Sequence, residues 1–168
     1  MLLIEIDKTR YRRHLNRLIV VSIAFLFVGS LGIAQLLIHL FPASEGSHFH
    51  WNLLGVVSTA LIMMVIFNTY KTHDFLTEVV YVWQLKKELN LIARKMTKLT
   101  PASKMGDVNA MLALQFSYSG SRQLWTLDDN LITMSRLEKS QQALDLLAEK
   151  FDVHLDISKY ESALLKAF

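Results

Sequence analysis

Hydrophobic positions form two long uncharged blocks, followed by a longer region in which they are spaced rather than continuous. Leu18–Phe41 and Trp51–Tyr70 contain no Asp, Glu, Lys or Arg, and only Pro42–His50 separates them. At about 1.5 Å per residue the blocks reach roughly 36 Å and roughly 30 Å, against a hydrocarbon core of about 30 Å. A backbone in lipid must satisfy its own hydrogen bonds, so both blocks are predicted as helices. Gly32-Ile33-Ala34 weakly resembles a signal-cleavage site, yet the apolar run continues through Leu36-Leu37-Ile38. That exceeds the ~7–15 apolar residues of a secretory signal, and an uncleaved anchor is expected.

From Lys71 onward the pattern changes. No Pro or Gly interrupts His73 to Thr100, so the second block is expected to run almost continuously into another helix. There Val82, Leu85, Leu89, Ile92, Met96 and Leu99 step by three and four, a heptad seam. Lys86, Lys87, Glu88, Arg94, Lys95 and Lys98 occupy other faces, and Pro101 is expected to end the run. The seam fits either the core face of an intramolecular bundle or an interaction seam pairing two copies. A further helix is predicted from about Asp107 to Tyr118, ended by Gly120.

Ser135-Arg136-Leu137-Glu138 has capping-box spacing and opens a helix whose Leu137, Leu144, Leu147 and Phe151 share a face. Phe151, Val153, Leu155 and Ile157 then alternate with Asp152, His154 and Asp156, as in a short strand or extended segment. Ser158-Lys159-Tyr160-Glu161 repeats the capping-box spacing before a last short helix to Phe168. The predicted fold class is mainly α: a two-helix transmembrane hairpin followed by a small cytosolic helical domain with at most one short strand. The expected divisions are a basic arm, 1–17; the hairpin, 18–70, with spans 18–41 and 51–70 and outer loop 42–50; and the helical domain, 71–168.

Charge supplies orientation. Lys8, Arg10, Arg12, Arg13 and Arg17 precede the first block, Lys71, Lys86 and Lys87 follow the second, and the loop carries no Lys or Arg. Both termini are therefore expected in the cytoplasm. Tyr11, Phe41, Trp51 and Tyr70 fall at the expected membrane interfaces. Arg10, Arg12, Arg13 and Arg17 are expected to meet anionic lipid headgroups, at about 1 kcal/mol each. That cluster accounts for the net charge of +3 without a nucleic-acid partner. The chain has no cysteine, which excludes disulfides, thiol catalysis and Cys-ligated metal.

Helices in lipid associate through small residues and polar side chains. If Phe41 is level with Trp51, Gly32 falls near Ala60 and Gln35 near Ser58. A close crossing is expected at Gly32, Gln35, Ser58 and Ala60, with Gln35 bonded to Ser58 or Thr59; facing another subunit or lipid would explain the same residues.

Candidate chemistry is sparse. Glu45, His48 and His50 in the outer loop have donor types suited to zinc or copper, but an exposed polar loop is the preferred account of them. Asp128-Asp129-Asn130, with Arg122 and Trp125 nearby, is a polar knot able to hold a cation or small ligand; Thr126–Asn130 also reads as a turn between helices. His73-Asp74 reads as a helix-start pair. Gly106-Asp107, Ala110, Leu114, Tyr118 and Gly120 resemble the first helix of a Sel1-like repeat, but no second copy follows. No Gly-x-Ser-x-Gly or His-Glu-x-x-His arrangement is present. No catalytic residue and no cofactor is predicted, and the chain is not expected to be an enzyme.

Several segments carry a resemblance: Glu5-Ile6-Asp7-Lys8 with Arg10-Tyr11-Arg12 and His14-Leu15-Asn16-Arg17, and Phe49-His50-Trp51-Asn52-Leu53-Leu54-Gly55. Glu78-Val79-Val80-Tyr81-Val82-Trp83, Gly120-Ser121-Arg122-Gln123-Leu124-Trp125 and Leu127-Asp128-Asp129-Asn130 complete it. Together they resemble the family called domain of unknown function 3087, over nearly the whole length. The resemblance implies a bacterial inner membrane and brings no activity or site residues.

Two function classes follow. The first is a non-catalytic membrane anchor or accessory subunit acting through its helical domain, as a homo-oligomer or within a larger membrane complex. The second is a small-ligand or metal-binding module using the His loop or the Arg122, Trp125, Asp128-Asp129 region. An exposed apolar surface on the tail favours the first and an enclosed polar pocket the second.

Overall fold

The computed structural model describes residues 1–42, 48–130 and 134–168. Six α-helices run in order: α1 Lys8–Leu40, α2 Phe49–Tyr70, α3 Thr77–Ala93, α4 Met96–Lys104, α5 Val108–Leu127 and α6 Met134–Lys150. Two 3-10 turns, Ile157–Lys159 and Ser162–Ala167, complete the chain, and no strand occurs among the described residues. Thr9–Val80 forms one compact unit, and Met1–Lys8 joins Tyr81–Phe168 in another.

In the first unit, α1 and α2 are long and apolar enough to cross a membrane, and 6% and 11% of their apolar windows are buried. Phe41 and Trp51 are level, their rings stacked at 5.4 Å. The crossing lies on a different face from the expected one. A Cβ on Gly55 would stand 2.5 Å from the Ser30 carbonyl oxygen and 3.1 Å from the Ala34 Cβ, and one on Gly29 would stand 2.7 Å from the Thr59 methyl. Gly32 has nothing within 4 Å of that position, Gln35 and Ala60 are exposed, and Ser58 is half-buried. Buried Thr59 satisfies its hydroxyl locally, donating to the Gly55 carbonyl at 2.8 Å. Ser30-x-x-x-Ala34 and Gly55-x-x-x-Thr59 are the small-residue pairs that let the backbones approach.

The basic segment is part of α1 rather than a separate arm. Nor does α2 continue into α3. Residues 71–76 are turns, in which the His73 Nδ1 accepts from the Phe75 N–H at 3.2 Å. A side chain that bonds its neighbouring backbone in this way competes with helix propagation.

In the second unit α5 is central, packing against α4, α6 and both 3-10 turns. Asp107 caps it, accepting from the Ala110 N–H at 2.9 Å. Gly120 does not end it; the glycine is buried mid-helix, where an added Cβ would lie 3.1 Å from the tips of Leu85 and Leu89. Pro101 likewise lies inside α4. That helix ends at Gly106, whose φ of +89° places it in the left-handed region. There the Asp107 N–H reaches the Ala102 carbonyl and the Gly106 N–H the Ser103 carbonyl, each at 3.1 Å, a Schellman stop.

Asp129 at φ 56° and Asp152 at φ 52° end α5 and α6 in the same conformation. The segment after Asp152 is extended without pairing. Asp156, rather than Ser158, caps the next turn, accepting from the Ser158 N–H at 3.0 Å.

Four seam residues, Val82, Leu85, Ile92 and Leu99, lie in this core. A break at Arg94–Lys95 divides α3 from α4 while the apolar spacing continues across it.

Candidate functional site

A groove of about 520 Å³ opens on the helical unit. From α3 come Lys86, Leu89, Asn90 and Ala93, and Met96 follows at the start of α4. Tyr118, Leu124 and Trp125 of α5 form another wall, and Arg136 and Leu137 of α6 the third. Helical spacing explains the arrangement: Leu89, Ala93 and Met96 repeat at four and three on one face, as do Tyr118, Ser121 and Trp125. The two remaining seam residues, Leu89 and Met96, thus line the groove while their four neighbours fill the core. Burial raises the Tyr118 phenol above its ordinary value, keeping it a neutral donor.

A smaller polar centre lies elsewhere in the same unit. Glu88 is buried on α3, and its Oε1 accepts from the Tyr160 and Ser162 hydroxyls, each at 2.7 Å. The Tyr160 ring stacks on Phe116 at 4.2 Å. Burial, then the hydrogen bond to Glu88 and its charge, raise the Tyr160 phenol far above its ordinary value. Lys95 donates to the Leu165 carbonyl and Lys98 to the Phe168 carbonyl. Four side chains therefore hold residues 160–168 against the bundle, and none of these pairs has a local sequence signature.

The amino-terminal segment is held similarly. The Ile4 N–H donates to the Tyr81 hydroxyl at 3.0 Å, that hydroxyl donates to Gln123 Oε1 at 3.1 Å, and Gln123 Nε2 returns to the Ile4 carbonyl. Beside it, Trp83 and Leu2 are both exposed, and Lys87 Nζ lies 5.9 Å from the Trp83 ring centroid.

The sequence-predicted residues fall as follows. Asp128 pairs with Lys86 at 3.2 Å and Asp129 with Lys8. Arg122 is exposed, and Trp125 lines the groove, so these four do not form one polar pocket. Glu45 lies outside the described residues; His48 is half-buried and His50 exposed. Among the described residues no group of three metal-ligating side chains occurs. In the hairpin unit, Arg10 Nε meets Glu78 Oε1 at 2.8 Å, and His14 Nδ1 lies 3.3 Å from Glu78 Oε2. Arg12, Arg13 and Arg17 are exposed on α1.

A family model described as "Protein of unknown function (DUF3087)" matches residues 1–165. The chain belongs to this family. No curated protein and no solved structure matches it. The DUF3087 match takes in both apolar helices, the groove and the Glu88 centre, so these parts belong to one family pattern. The family's description assigns no activity to them.

Proposed function

We propose that this DUF3087 protein is a non-catalytic membrane anchor or accessory subunit that docks a partner protein through its helical unit. Its α1–α2 hairpin spans the bacterial inner membrane with both termini in the cytoplasm. Exposed Val20, Phe27, Met64 and Val65 on those helices support insertion, because apolar surface of that extent is stable only when covered. The absence of Lys and Arg from Pro42–His50, against basic flanks on either side, supports the orientation.

The groove carries the docking reading. It is open, its floor is apolar, and Trp125, Tyr118 and Arg136 are residue types that dominate binding energy at interfaces. An amphipathic partner helix with an acidic residue at the Arg136 rim suits that floor. The test is native mass spectrometry of the protein extracted in mild detergent from its own membrane. The reading expects a stoichiometric protein partner that Trp125→Ala releases. A bound small molecule with no protein partner would overturn it.

A further inference from the structure

The hairpin holds a cleft at its basic end. Above it α1 and α2 are in backbone contact, through Ser30 and Ala34 against Gly55. Toward the basic flank that contact is lost, and a cavity of about 350 Å³ opens between Leu18, Val21 and Phe25 on one side and Met63, Ile66 and Phe67 on the other. Its size is within the range of about 300–1,000 Å³ usual for small-ligand sites. Phe75 and Leu76 from the following turn close its end. Leu18, Val21 and Phe75 also border a second apolar depression, whose rim is formed by Asn16 and Arg17.

We infer that this cleft seats one acyl chain of an anionic phospholipid, with the phosphate held at Arg17 and Arg13. The inference rests on the hairpin being membrane-inserted, and not on the groove of the helical unit. Large side chains on both helices at this level prevent the close approach that Gly55 allows, so the gap needs an occupant. The occupant must be apolar along its length, because aliphatic and aromatic side chains line the walls. It must be negative at one end, because Arg17 lines the adjoining depression and Arg13, also exposed, precedes it by one helical turn on α1. Arg10, by contrast, is engaged by Glu78 at 2.8 Å. Charge complementarity thus selects an anionic glycerophospholipid over a zwitterionic one, and over a partner helix without acidic residues at this level.

The experiment exchanges the full-length protein into micelles containing equal phosphatidylglycerol and phosphatidylcholine with matched chains, and counts retained lipids by native mass spectrometry. One retained phosphatidylglycerol is expected. Arg17→Gln lowers the preference for phosphatidylglycerol by about fivefold, the value of one basic residue near an anionic headgroup. Met63→Trp fills the cleft and removes the retained lipid. Equal retention of both lipids by the unaltered chain, or retention unchanged by both substitutions, overturns the inference. Alkaline carbonate extraction separates the two failures. A chain released from membranes overturns hairpin insertion itself, whereas one that stays without headgroup selectivity overturns only the lipid seat.

Discussion

The Tyr160 hydroxyl donates to the buried Glu88 carboxylate at 2.7 Å, across 72 residues of sequence. Ser162 donates to the same oxygen, so one carboxylate fixes two points of the carboxyl-terminal segment. Tyr160→Phe leaves the ring on Phe116 but withdraws a partner from a buried charge, a loss of about 1–3 kcal/mol. Thermal unfolding in detergent should show a lowered midpoint for Tyr160→Phe and a smaller drop for Ser162→Ala, whose site is less buried. Equal midpoints for Tyr160→Phe and the unaltered chain would remove Glu88 from the account.

The raised Tyr160 and Tyr118 phenols set an alkaline limit on stability. In the unfolded chain both ionise near their ordinary value of 10.0; folded, they hold their protons to higher pH. Their contribution is complete below that value and falls as pH rises beyond it, because the unfolded state then binds fewer protons. The melting midpoint should decline above pH 10, less steeply in the Tyr160→Phe variant.

The hairpin crossing can be read directly by cross-linking. Cysteines replacing Gly29 and Thr59 should form a disulfide on mild oxidation, since their side-chain positions are in contact. Cysteines replacing Gly32 and Ala60 should not. The reverse result would put the crossing on the face that the small-residue count alone suggested.

Gly120 separates propensity from packing. Gly120→Ala gains about 1 kcal/mol of helix propensity and meets only the flexible tips of Leu85 and Leu89, so it should be near neutral. Gly120→Leu overpacks the same contact and should cost about 1–3 kcal/mol. Urea titration of the detergent-solubilised protein followed by circular dichroism distinguishes the two.

Asp152 adopts φ 52° at an exposed position after α6. Asp152→Gly should raise stability by about 1 kcal/mol, because glycine enters that region without the Cβ penalty. A lowered midpoint would mean that the Asp152 side chain makes a compensating contact.

What could be read without the structure was whatever depends on neighbours within a few turns. Two uncharged blocks of sufficient length predict α1 and α2; a helix start near Asp107 and the spacing of Leu137 and Leu144 predict α5 and α6. The helix stops were less legible. Gly120 and Pro101 have strong local preferences, yet α5 and α4 pass through them; at Gly120, packing against Leu85 and Leu89 outweighs the preference. In the hairpin, Ser30-x-x-x-Ala34 and Gly55-x-x-x-Thr59 held the needed signal. Gly32, Ser58 and Ala60 offered equally small residues on other faces, and helix rotation is not a local property.

The amino-acid order by itself determined a helical chain with two membrane-length segments and a charge asymmetry across them, since length, hydropathy and helical period are local quantities. Only the tertiary structure decided which seam residues fill the core and which line a groove. It alone brought Tyr160 to Glu88 and Gln123 to Ile4, because contacts between distant residues depend on the packing of α3 and α5, which no short stretch of sequence encodes.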